Sequence, residues 1–341
     1  MNQSTGKYAI VITSIASPNG VIKAIAKKCS ADQEKKFFVI GDTKSPTDFH
    51  HEGCDFYSIE QQINTGFTIA ANLPTRHYSR KNIGYLLAWK EGFEVIVETD
   101  DDNIPIEGFW ENRFQTLPAQ SVDRKGWANV YRLFADDNIW PRGLPLEHLH
   151  ASNSIHVNQE VTNYLSPIQQ GLANENPDVD AVYRMTMPLP FSFLERKNVV
   201  LEQGVWCPFN SQNTTWFREA FPLLYLPSYC SFRMTDIWRS FIAQRIAWTN
   251  GWNLLFHNAT VVQERNEHSL LKDFEDEVSG YLLNHKIITA LDALELKDGI
   301  AHIYDNLFAC YVMMIEKKFI KNETELQLVK AWINDCKSLL K

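Results

Sequence analysis

Apolar positions in the first hundred residues come as short continuous runs, separated by a stretch of helical spacing. Tyr8 to Thr13 is one such run, the mark of a strand buried on both faces. Ser14 to Asn19 breaks it as a turn, and a helix-periodic pattern then continues to about Lys28. Lys36 to Ile40 reads as a second buried strand, ending in Gly41-Asp42-Thr43-Lys44. Strand, helix and strand at this spacing predict a right-handed parallel unit that presents its ligand site at the strand carboxyl ends. Ile83, Leu86, Leu87 and Lys90 are spaced as a short helix that Gly92 stops, and Phe93 to Val97 follows as a third strand.

Further on, Gly126 to Phe134 reads as a strand and residues 135 to 145 as a loop holding Trp140-Pro141-Arg142-Gly143. Residues 146 to 178 are polar without periodicity, which predicts a loop-rich insertion. Val179 to Met185 reads as a strand, and Pro188 to Phe193 as extended chain. A helix is expected through Trp248, with Thr235 or Asp236 as its N-cap, then a last strand from Gly251 to Val262. Three amphipathic stripes close the chain: Phe274, Val278, Tyr281, Leu282, His285 and Ile288; Ile303, Leu307 and Tyr311; and Leu326, Val329, Trp332, Ile333 and Cys336. Asn322-x-x-Glu325 resembles a capping box before the third. The expectation is an α/β fold, a Rossmann-like mixed sheet flanked by helices over residues 1–268. A helical extension over 269–341 packs on it or mediates homo-oligomerisation.

Composition narrows the function. With 33 Lys and Arg against 41 Asp and Glu the formal charge is −8, so duplex nucleic acid is an unsuitable partner, since phosphate neutralisation needs clustered cations. No run reaches the ~18 apolar residues of a spanning helix, and the polar stretch Met1 to Lys7 is not a leader pattern. Six cysteines, at 29, 54, 207, 230, 310 and 336, form no Cys-x-x-Cys pair and read as reduced thiols. Together these give the expectation of a cytoplasmic protein.

The chemistry concentrates in Glu98-Thr99-Asp100-Asp101-Asp102-Asn103, where carboxylates follow a hydrophobic strand. Adjacent like charges repel by roughly 4 kcal/mol at ~4 Å with an effective dielectric near 20. A cation carrying phosphate oxygens relieves that, and Mn²⁺ or Mg²⁺ is the expected ion. Strand alternation would put Asp100 and Asp102 on one face and Asp101 on the other. A solvated acidic turn would use the same residues. Upstream, Arg80, Lys81 and Asn82 fall in the first turn of the short helix, with Ser79 or Thr75 as cap, where free N–H groups and the helix dipole favour phosphate. Thr13 and Asp42 end strands where base or ribose is contacted in such folds, though Asp42 also suits a plain turn. No Gly-x-Gly-x-x-Gly or Walker loop appears.

Basic helix start, glycine, buried strand, then acids: this order resembles the GT-A glycosyltransferases. The fuller set resembles the STELLO-type glycosyltransferase family. It comprises Arg80-Lys81-Asn82-x-Gly84-Tyr85, Asp100 to Asn103 with Pro105, Trp140-Pro141-Arg142-Gly143, Asn210-x-Gln212-Asn213-Thr214, Asp236-Ile237-x-Arg239 with Gln244-Arg245, and Gln263-x-Arg265-Asn266-x-His268. It spans roughly residues 7 to 280. The resemblance implies a GT-A-like fold moving a sugar from a nucleotide diphosphate, a UDP-sugar by default, to a glycan or lipid-linked acceptor. It implies metal ligands at Asp100, Asp101, Asp102 and His268, with His257 as second choice, and donor contacts at Thr13, Asp42, Arg80, Lys81, Asn82 and Arg233. Arg142, Asn210, Gln212, Asn213 and Arg239 are expected to contact sugar or acceptor, Arg239 or Arg245 alternatively orienting Asp236. Asp236 is the expected general base of an inverting displacement. Two other functions remain open. A sugar-nucleotide nucleotidyltransferase needs a Gly-rich loop after the first strand, and Ser14 to Gly20 has one glycine. A non-catalytic scaffold of a polysaccharide-synthesis complex would need no cation.

Overall fold

The computed structural model describes residues 4–265 and 269–340. Its centre is a mixed sheet of eleven strands among those residues. In chain order they are β1 (Tyr8–Thr13), β2 (Lys35–Ile40), β3 (Asp55–Tyr57), β4 (Val95–Thr99), β5 (Asn103–Pro105) and β6 (Thr116–Val122). There follow β7 (Val157–Leu165), β8 (Ile168–Asn174), β9 (Val199–Leu201), β10 (Asn213–Phe217) and β11 (Leu254–Gln263). Across the sheet the order is β7-β6-β9-β11-β8-β10-β4-β1-β2-β3, and β5 pairs with β11. The first four strands of the parallel unit, β1 to β4, run the same way. β10 enters antiparallel between β4 and β8.

Helices cover both faces: α1 (Gly20–Ala31), α2 (Ile59–Ile63), α3 (Thr68–Asn72), α4 (Lys81–Lys90) and α5 (Leu149–Ser152) in the first half. The second half adds α6 (Ala181–Thr186), α7 (Thr235–Thr249), α8 (Leu270–Ala293), α9 (Ile303–Glu316) and α10 (Thr324–Ser338). Alternation along β1 sends Tyr8, Ile10 and Ile12 into the α1 layer, and Ala9 and Val11 into the layer of α4. Gly84 lets α4 approach the sheet: a Cβ there would stand 2.4 Å from Val11 Cγ1 and 2.9 Å from Ile40 Cγ1. The α/β class and the C-terminal helices are as expected. No described helix is long and apolar enough to cross a membrane.

Four local expectations are corrected. Residues 146 to 178 are no loop insertion: they contain β7, exposed along most of its length, and β8, buried in mid-sheet. β8 reads as polar because Gln169 and Gln170 sit inside it, each amide bonded to backbone carbonyls. From 126 to 134 only Gly126–Trp127 pairs, with Val205–Trp206, and Val130–Phe134 turns as a 3-10 helix. The strand expected at 179 to 185 is helix α6, whose start Asp180 caps by accepting from the Tyr183 N–H at 2.7 Å. On α8 the inward stripe is Asp273, Glu277, Gly280, Asn284, Ile287, Ile288 and Leu291, while Phe274 and Leu282 are exposed. Polar groups took the inner positions because partners wait for them there.

Candidate functional site

β4 ends at Thr99, and Asp100 to Asp102 form the turn into β5, closed by the Asn103 N–H on the Asp100 carbonyl at 3.3 Å. A turn does not alternate, so all three carboxylates line one cleft, correcting the expectation that Asp101 points away. Lys81, fully buried at the start of α4, reaches under them to the Thr99 carbonyl at 2.7 Å and the Asp100 carboxylate at 2.8 Å. Asp101 accepts from the Ser14 hydroxyl, and its carbonyl accepts from Asn19 Nδ2 at 2.7 Å, tying down the loop after β1. Asp102 Oδ2 accepts from Gln263 Nε2 at 3.1 Å, whereas its Oδ1 is buried with no hydrogen-bond partner. Burial, and next the Asp100 charge, push the Asp102 carboxyl up to about 7 against the Gln263 bond. Burial also raises Asp100 and Asp101, opposed by Lys81 and Ser14 respectively.

Two clefts, each of about 250 Å³, meet at this turn, and Thr13, Tyr78, Asp101 and Phe232 line both. The first lies over the ends of β1 and β2, with Ile15, Asp42, Lys44 and Arg76 around it. Asp42 there accepts from the Thr43 and His77 N–H groups at 2.6 and 3.1 Å. Phe232, nearly half exposed, is braced edge-on by Tyr78 and His77. The second cleft holds the acids together with Arg142, Ser211, Arg233, Asp236, Gln263 and Arg265.

Asp236, the expected general base, stands in that second cleft and is heavily hydrogen-bonded. Arg142 donates to both of its oxygens, at 3.0 and 2.9 Å. The Ile237 N–H and the Tyr78 hydroxyl also reach Oδ1, and the Ser211 N–H reaches Oδ2 at 3.1 Å. Burial works to raise its carboxyl, but Arg142, with Arg239 and the Ser211 N–H, overcomes that and holds it well below the usual carboxylate range. A carboxylate held this way is a weaker base than a free one. Arg142 is equally committed: its remaining donors go to the Asp178 carboxylate at 2.8 and 2.8 Å and to the Arg233 carbonyl. It therefore lines the cleft without a free N–H for sugar or acceptor.

Other expected residues are tied up by partners within the fold or lie away from the clefts. Arg80 closes the first cleft from below, but its guanidinium is bonded to Gln62 and to the Leu73 and Ala70 carbonyls. Asn82 holds both the N–H and the carbonyl of Leu226. Arg239 forms a buried two-pronged ion pair with Glu98, at 2.9 and 2.7 Å, which Tyr85 and Trp216 complete. The side chains of Asn210, Gln212 and Asn213 bond to the Gln212 N–H, to Asn103, and to the Leu172 carbonyl and Thr260. Arg245 bonds to carbonyls ending α8, far along α7 from Asp236. His257 sits in a separate cleft beside Arg113, with burial lowering its imidazole to about 4. His268 lies outside the described residues. Ser14, Tyr78, Ser211 and Asp178 were not anticipated as site residues, and Gln263 was noted only as the first residue of a motif. Ser211 was readable, being the residue skipped inside Asn210-x-Gln212; Ser14, Tyr78 and Asp178 carry no sequence signal of their own.

Among the described residues no three carboxylate, imidazole or thiol groups form a ready-made metal cage. An ion such as Mg²⁺ bound jointly with phosphate needs only one or two carboxylates, its other positions going to substrate and water. The unpartnered Asp102 Oδ1 is the atom that fits such an ion.

Fold and site thus define an α/β protein with paired clefts at the carboxyl ends of its strands, one of them floored by carboxylates. Its sequence is similar to the STELLO glycosyltransferases: that family model matches residues 233–340. Two relatives from Arabidopsis thaliana extend the likeness to nearly the whole chain. Probable glycosyltransferase STELLO2 is 28% identical over 96% of this chain, and probable glycosyltransferase STELLO1 is 27% identical over 98%. The chain spans 44% of the length of each. A crystal structure of a mycobacterial protein superposes with a TM-score of 0.44 at 11% identity, covering 82% of this chain and 74% of that one.

Proposed function

We propose that the chain transfers a glycosyl group from a nucleoside diphosphate sugar to an acceptor, with base and ribose in the first cleft and the diphosphate at the acid turn. The observation that carries this is Asp102 Oδ1, buried without a partner where three carboxylates converge. An unsatisfied buried oxygen costs about 1–3 kcal/mol, more when charged, and a cation removes that cost. Similarity along almost the whole chain to probable glycosyltransferases supports the same class.

Asp102 would hold the Mn²⁺ or Mg²⁺ ion, with Asp100 and Asp101 beside it. When bound, the ion supplies neutralisation of the charge that develops on the departing diphosphate. Lys81 fixes Asp100, and Ser14 with Asn19 fixes Asp101, so the turn keeps its shape when empty. Asp42 faces the base or ribose, and Phe232 forms the wall common to both clefts. Asp236 is assigned a positioning role: it orients the Tyr78 hydroxyl and the Ser211 backbone at the cleft floor. Inversion with Asp236 as base is not part of the proposal, for the reason its ion pair gives.

Calorimetry with UDP and GDP, with and without Mn²⁺, tests the reading. Expected is nucleotide binding that needs the cation and is lost in Asp102→Asn while the variant remains folded. Equal binding without cation, or in the variant, would remove the acid turn from the function.

A further inference from the structure

His77 lines the first cleft with its two ring nitrogens in different situations. It is the N-cap of the 3-10 turn Tyr78–Arg80, where its Nδ1 accepts from the Ser79 N–H at 3.0 Å. A backbone N–H can only donate, so Nδ1 is bare and the neutral ring carries its proton on Nε2. Nε2 makes no hydrogen bond among the described residues. Burial lowers the imidazole to about 4 against the pull of Asp42, so near neutral pH the ring is an uncharged donor.

An acceptor stands in the same cleft. Asp42, at the end of β2, takes one backbone N–H on each oxygen, from Thr43 on Oδ1 and from His77 itself on Oδ2 at 3.1 Å. A carboxylate has about four lone-pair sites, so Asp42 can still accept from a ligand. The chain that brings His77 to Asp42 passes through Arg76 at φ 58°, a left-handed conformation that side chains so bulky rarely adopt. Such strain gathers where a group must be presented to a ligand. Phe232 stands edge-on to the His77 ring at 5.4 Å and gives the cleft its apolar wall.

A carboxylate acceptor and a neutral N–H donor on adjoining residues discriminate among nucleobases. Uracil and guanine offer a ring N–H next to a carbonyl. Cytosine and adenine offer a bare ring nitrogen next to an amino group. The first pattern complements Asp42 with His77. The second sets lone pair against lone pair and N–H against N–H, which selects against it. We infer that His77 is a base-specificity residue: its Nε2–H, with the Asp42 carboxylate, selects a donor carrying uracil or guanine over one carrying cytosine or adenine. This rests on the placement of base and ribose in the first cleft proposed above.

The test is calorimetry of the full chain with UDP, CDP, GDP and ADP at saturating Mn²⁺. UDP and CDP share ribose and diphosphate, so their affinity ratio cancels the contribution of the acid turn; the same holds for GDP against ADP. Two variants split the roles of the two ring nitrogens. His77→Asn keeps an acceptor for the Ser79 N–H, asparagine being a preferred N-cap, but has nothing in place of Nε2–H. His77→Gln reaches the Nε2 position with an amide N–H and gives up the cap. Expected in the parent is a preference of at least about tenfold for UDP over CDP or for GDP over ADP. His77→Asn should lose that preference through weaker UDP or GDP binding alone, while His77→Gln keeps it. A purely structural role for His77 predicts the opposite order of the two variants. No preference in the parent, or a preference that survives in His77→Asn, overturns base selection by His77 and leaves nucleotide binding standing. A parent chain that binds none of the four nucleotides overturns the placement of the base in the first cleft and this inference with it.

Discussion

Asp102 makes the acid turn proton-linked. Its carboxyl, ordinarily at 3.8, lies at about 7 in the folded chain, so the folded state holds that proton more tightly than the unfolded one. The stability this gives is complete below the lower value and is lost as pH rises through the upper. Each tenfold difference in proton affinity between the two states is worth about 1.4 kcal/mol. Melting temperature without cation should fall between about pH 4 and 7, Asp102→Asn should fall less, and Mn²⁺ should restore the parent chain most at the higher pH. An identical slope in the variant would separate the effect from Asp102. The buried pair Glu98–Arg239 behaves differently, since neither partner reaches a cleft. Arg239→Met should cost about 3–5 kcal/mol by urea unfolding, because it strands the Glu98 charge; a cost under about 1 kcal/mol would refute the pairing. At this scale the acid cluster was legible, since three adjacent carboxylates need a reason wherever they sit. The arginines were not. Sequence shows a charge but not its partner, and Arg80, Arg142 and Arg239 prove to be engaged by partners inside the fold.

Elements were legible where burial is apolar. β1, β2 and β4 are continuous hydrophobic runs, and the α9 and α10 stripes face inward as read. β8 and α8 escaped because their buried faces carry Gln169, Gln170, Asp273, Glu277 and Asn284, whose partners come from distant segments. Helix α4 shows the reverse case, a motif residue whose reason is packing. Gly84 lies where a methyl would overlap Val11 and Ile40, so Gly84→Ala should cost about 1–3 kcal/mol through overpacking, despite the better helix propensity of alanine. Urea unfolding measures it. Stability equal to the parent would mean that α4 shifts outward freely, and Lys81 at its start would then lose its grip on Asp100.

Across the whole molecule, the C-terminal helices and the acid turn belong to one mechanical chain. Glu325 of α10, fully buried, does not close the capping box its spacing suggested. Its carboxylate instead accepts from the Tyr225 hydroxyl and from the Ser228 and Tyr229 N–H groups, at 3.0 and 2.8 Å for the latter two. That loop is held again by Asn82 of α4 and by Ser79, beside Tyr78, and it leads directly into Phe232, Arg233 and Asp236. Asp335 of α10 meanwhile accepts from the N–H groups of Thr68 and Ile69 at 2.9 and 2.8 Å, capping α3. A division at residue 268 would therefore cut through shared structure. We predict that Glu325→Ala, which leaves two backbone donors buried without an acceptor, lowers stability by about 3 kcal/mol or more. It should also raise amide exchange selectively over residues 225–236, and weaken nucleotide binding more than it disturbs α1 or β1. Exchange that rises uniformly over the chain, or only within α9 and α10, would show instead that the helices are a separable cap and that the cleft is held by the sheet alone.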